Sequence, residues 1–77
     1  MDRQDELLRL GEADRHIAVA ERNITEQQCR LEKLRADGHD TKLAEQMLTD
    51  FQINLQTLNE HRDLIIKTIA QINQGLA

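Results

Sequence analysis

In the first half of the chain Leu10, Ile17, Ile24 and Leu31 recur every seven residues, and Ala13, Ala20, Gln27 and Leu34 follow each of them by three. No other feature constrains the fold as strongly. Two rows at this spacing, the a and d rows of a heptad, mark a helix packed lengthwise against another helix. The second half repeats the pattern. Phe51, Leu58, Ile65 and Ile72 fall seven apart, Ala44 begins that row, and Leu48, Leu55, Arg62, Ile69 and Leu76 form its companion. Asp5–Arg9 and Glu26–Arg30 put an acid four residues before a base, the favoured order on a helix surface. The chain has no proline to interrupt either run. Gly11 costs roughly 1 kcal/mol against Ala in a helix and marks a place for a break that would leave 4–10 as a frayed or separate turn.

Between the repeats lies Asp37-Gly38-His39-Asp40-Thr41. Gly38 suits the left-handed residue just past a helix end. Asp40, ahead of Thr41, can accept a hydrogen bond from the free N–H groups that open the next helix. So short a link forces the two helices antiparallel. The expected fold is therefore all-α: one domain over 1–77, with a helix over about 5–37, a turn at 38–40 and a helix over about 41–74. Each helix would reach roughly 50 Å at about 1.5 Å per residue. Facing residues in such a hairpin have numbers with a constant sum. A sum of 82 pairs Leu34 with Leu48, Leu31 with Phe51, Ile24 with Leu58, Ile17 with Ile65, Ala13 with Ile69 and Leu10 with Ile72. The tight turn alone favours a sum nearer 78 or 79.

Composition narrows the function classes. Charged residues are 31% of the 77 and apolar ones 39%, too apolar for a disordered tail. A single Cys excludes a disulfide scaffold, and the Met-Asp-Arg-Gln-Asp-Glu start lacks the basic-then-apolar order of a signal peptide, so a cytoplasmic setting is expected. No apolar run approaches the roughly 18 residues of a membrane span, and no membrane partner is expected. The net charge is −4, with seven basic and nine acidic residues intermixed over 1–37 and three and five over 38–77. Neither half supplies the basic stripe that neutralises phosphates, so no DNA partner is expected.

Two helices bury one face each, which is thin for a stable unit of this size. Leu43, Met47, Ile53, Leu64 and Ile66 lie off the a and d rows, and stretches 51–59 and 68–77 carry no charge. Interface cores are depleted of charge whereas free helix surfaces carry Lys and Glu. The second helix is thus expected to make contacts on more than one side, in a homodimeric four-helix bundle.

The residues that could carry chemistry are few. His16 and His61 lie at similar heights in a hairpin, with Asp14, Glu60 and Asp63 nearby, which makes a metal site conceivable. Both fall at g positions beside the seam, where a structural or interfacial role is ordinary, and no metal or other cofactor is assigned. His39 reads as a turn residue. Arg62 sits in the seam opposite Ala20 in the 82 register. It is expected to reach outward to Glu21 or Asp63 and so fix register. Gln27 plays a similar specifying part. Cys29 points away from the seam without a base beside it and reads as an inert thiol. No phosphate loop, nucleophile elbow or paired carboxylate site is present, so no catalytic activity is expected.

From His16-Ile17 through Gly38-His39-Asp40-Thr41 and Phe51 to His61-Arg62-Asp63, the chain resembles a group of short uncharacterised bacterial helical-hairpin proteins that carry a Gly-His-Asp-Thr turn and a late His-Arg-Asp. The likeness covers about residues 16–67. It implies a bacterial, cytosolic setting and no mechanism. The expected function is a non-enzymatic protein–protein interaction or structural module, a helical-hairpin homodimer that docks another protein. Met47, Ile53, Leu64, Ile66, Arg62, His16 and His61 are its candidate interaction residues. Two other readings stay open. Arg15, Arg22, Arg30 and Lys33, doubled in a dimer, would line an RNA-binding patch of the kind used by Rop-type bundles, an analogy of fold alone. His16 and His61 would make a metal-responsive protein.

Overall fold

The computed structural model describes residues 2–75. Helix α1 spans Arg3–Ala36 and helix α2 spans Lys42–Asn73, and the two pack as an antiparallel hairpin with Cα extents of 59 × 15 × 12 Å. Asp2 opens α1, its carboxylate accepting from the Gln4 N–H at 3.1 Å. Asp5 and Glu6 in the first turn and Lys33 and Arg35 in the last complement the helix dipole. The expected break at Gly11 does not occur. A single flexible residue inside a helix held along its length loses propensity without losing its hydrogen bonds, and α1 runs through Gly11 without interruption.

Local hydrogen bonding explains the tight turn. Gly38, at φ 74°, allows its N–H to reach the Arg35 carbonyl at 3.1 Å while the His39 N–H reaches that of Leu34 at 2.9 Å. These two bonds close α1 in a Schellman motif. The Asp40 carboxylate then accepts from the Lys42 N–H at 3.0 Å, so Asp40 caps α2 although Thr41 is the boundary residue. His39 serves through its backbone.

The seam holds the expected rows. Ala13, Ala20, Gln27, Leu31, Ala44 and Ile65 are buried, and the remaining a and d residues from Leu10 to Ile72 are half-buried. Leu76 lies outside the described residues. Several of the most buried residues are alanines, whose small side chains let one helix lie close to the other, and among the described residues no side chain is less than 2% exposed. Two helices enclose a single seam whose edges remain open to water.

The register differs from the 82 pairing. Arg3 Nε donates to Asn73 Oδ1 at 2.9 Å and Arg62 Nε to Asp14, pairs whose numbers add to 76. Arg35 bonds Glu45 at 3.0 Å, and Gln27 Nε2 bonds the Ala44 carbonyl at 3.0 Å, giving sums of 80 and 71. The short turn decides this. Its two caps leave no slack for the second helix to slide, and Ala36 and Lys42 at the helix ends add to 78.

Candidate interaction surface

Heptad positions divide the surface of an antiparallel pair into two flanks. One joins the e positions of both helices with b beside them, and the other joins the g positions with c beside them. The Arg35–Glu45 bond links e to e across the first flank. The candidate residues distribute over both. Met47, His16 and His61 are at g and Leu64 is at c, so these four share the second flank; Ile66 lies on the first, and Ile53 lies on the back of α2.

Exposure separates these residues further. Leu64 is 61% exposed, Ile53 58% and Ile66 39%, while Met47 is half-buried beside the seam. His16 and His61 are both exposed. Among the described residues no group of three or more His, Cys, Asp or Glu side chains is arranged to hold a metal ion. The two histidines and their neighbouring carboxylates therefore do not assemble into one site.

Arg62 is half-buried and pairs with Asp14, not with Glu21 or Asp63. Relative to the 82 pairing, it lies further toward the N-terminus of α1, past Ala20, at the turn that holds Asp14. Both partners keep substantial contact with water, so the pair is worth at most about 1 kcal/mol. Gln27 is more enclosed. It is 3% exposed, and its bond to the Ala44 carbonyl ties the interior of α1 to the backbone of α2. Arg15, Arg22, Arg30 and Lys33 are all exposed on α1, interleaved with Glu12, Glu26 and Glu32. Cys29 is exposed as expected.

Two features escaped the reading of the sequence. Glu6 is 2% exposed, with Arg9 Nη1 3.5 Å from its carboxylate. Counting back seven from Ala13 puts it in the d row, and that spacing was the available signal. It lies in the first turn of α1, at the positive end of the helix dipole. Val19, 53% exposed at a c position, joins Leu43, already marked as an off-seam apolar residue and 74% exposed, in extending the apolar content of the flank that holds Leu64. On that flank α2 contributes Leu43, Met47, Asn54, Thr57, Leu64 and Thr68, with Asp50 as its only acidic or basic residue besides His61. No cavity opens among the described residues, and none of their helices is long and apolar enough to cross a membrane. No known protein family, curated protein or solved structure matches the chain.

Proposed function

We propose that the chain is a non-enzymatic protein-interaction module, a helical hairpin that works as a homodimeric four-helix bundle in a bacterial cytosol and presents its remaining surface to another protein. The observation that carries this reading is surface area. The hairpin exposes 5782 Å², whereas a compact folded chain of 8.9 kDa exposes about 4,800 Å². The difference of about 1,000 Å² is comparable with the roughly 800 Å² that each partner buries in a standard stable interface. Part of that area is apolar, at Leu8, Val19, Leu43, Ile53, Leu64 and Ile66. A second hairpin laid along the long axis would cover one flank of both helices and turn two half-open seams into one core.

The test is absolute mass by light scattering after size exclusion, over a hundredfold range of concentration. Refractive-index detection is required because the chain has no Trp or Tyr. A mass of twice 8.9 kDa is expected. A single-chain mass at every concentration would overturn the homodimer and leave the apolar flank to a different protein.

A further inference from the structure

We infer that the flank built from the g and c positions is self-complementary. On this inference two hairpins join through it, face to face, about a two-fold axis that crosses α2 between Leu55 and Gln56 and α1 at Glu21. The inference rests on the homodimer reading above and supplies the face, the helix directions and the register.

Take α2 first. When two copies of one helix pack antiparallel through two rows, each residue of one row meets the other row of the second copy at a constant sum. A sum of 111 places Met47 against Leu64 of the partner subunit, Asp50 against His61 of the partner subunit, Asn54 against Thr57 of the partner subunit and, toward the helix ends, Leu43 against Thr68 of the partner subunit. In the three central pairs apolar meets apolar, a carboxylate meets an imidazole, and an amide meets a hydroxyl. The Thr57 hydroxyl already donates to the Ile53 carbonyl at 3.2 Å, which leaves its oxygen free to accept from an amide. Asp50 accepts from Gln46 within its own helix at 3.1 Å and retains acceptor capacity for the imidazole. A sum of 104, one heptad away, instead sets both Leu43 and Met47 against polar residues, His61 of the partner subunit and Thr57 of the partner subunit, where 111 leaves only Leu43 so placed.

Helix α1 tests the same axis with different residues. On its g and c rows a sum of 42 places Glu12 against Arg30 of the partner subunit, Glu26 against His16 of the partner subunit and Val19 against Asn23 of the partner subunit. Lys33 against Arg9 of the partner subunit, at the extremity, is the one like-charge meeting. The midpoint of this pairing is residue 21. The midpoint on α2 is between residues 55 and 56. One axis can serve both helices only if those points lie at the same height in the hairpin. The bonds between the helices join residues whose numbers add to between 71 and 80, and 21 and 55, adding to 76, fall within that range. The two pairings are thus compatible with a single two-fold axis. In the resulting bundle α2 runs antiparallel to its copy and α1 to its copy. Ile66 and Ile53 stay outside, on the opposite flank and the back.

The experiment is a charge exchange read by dimer dissociation in sedimentation equilibrium. Asp50→Lys sets a cation against His61 of the partner subunit, and His61→Glu sets an acid against Asp50 of the partner subunit. Each contact occurs twice per dimer, so either change alone is expected to raise the dissociation constant by about tenfold or more. The double variant sets a cation against a carboxylate and is expected to return to within about threefold of the parent. Both positions are exposed in the hairpin, and unchanged helicity by circular dichroism establishes that each variant is folded. Single variants without effect, or a double variant no tighter than the singles, would overturn this face while a parent dimer upholds the homodimer. A parent that is monomeric throughout would overturn both.

Discussion

Replacing Gln27 by Glu changes the chemistry of one buried terminal group where α1 is bonded to the backbone of α2. Gln27 is 3% exposed and donates to the Ala44 carbonyl at 3.0 Å. A carboxylate there loses the donor, opposes a carbonyl oxygen and gives up its hydration. The lost bond accounts for about 1 kcal/mol, and the uncompensated buried charge raises the total to about 3 kcal/mol. The protonated carboxyl is nearly isosteric with the amide and can donate its O–H to the same carbonyl. The penalty is therefore tied to ionisation. Folding favours the protonated form, so the introduced carboxyl titrates higher in the folded chain than in the unfolded one. Its penalty is nearly absent below about pH 4.3, where both states are protonated, and grows as pH rises through the folded value, about two units higher for a 3 kcal/mol effect. Urea unfolding followed by far-ultraviolet circular dichroism, at equal protein concentration and from pH 4 to pH 8, reads this directly. Parent and variant should nearly coincide at pH 4 and differ by about 3 kcal/mol at pH 8. A difference below about 1 kcal/mol at pH 8, or one that does not change with pH, would refute Gln27 as an enclosed donor. Gln27→Leu, which removes the polar group, should remain within about 1 kcal/mol of the parent.

Two further substitutions test the helices and their register. Gly11 is exposed, and a Cβ at that position meets nothing within 4 Å. Gly11→Ala should therefore stabilise by about 1 kcal/mol and raise the melting temperature by roughly 4–8 °C; no gain would mean that α1 is not continuous there. A double-mutant cycle on Asp14→Asn and Arg62→Gln should return a coupling of about 0.5 kcal/mol. The same cycle with Glu21→Gln in place of Asp14→Asn should return none, and the reverse ranking would restore the 82 register.

The hairpin itself was legible in the residues. Seven-residue spacing of Leu10, Ile17, Ile24 and Leu31, and of Phe51, Leu58, Ile65 and Ile72, determines two helices with one buried face each, because only a helix brings every seventh residue to one side. Gly38 and Asp40 determine the turn for equally local reasons: a left-handed backbone that a side chain disfavours, and a carboxylate within reach of free N–H groups. Propensity alone also marked Gly11 as weak, and long-range packing overrode it. Register was legible only in part, since the tight turn favoured a sum nearer 78 or 79 and the a and d rows were paired at 82. Heptads pair equally well after a shift of seven, and the a and d pattern offers no means of choosing among shifts. Two consecutive caps that leave no free residue made the choice, and it moved Arg62 from the vicinity of Glu21 to Asp14. Burial of Glu6 and the sharing of one flank by His16, His61, Met47 and Leu64 depend on the second helix and where it stops. Periodicity within a chain determines which residues can face a partner helix; only the tertiary structure, by setting the helices at one relative height, decides which residues meet.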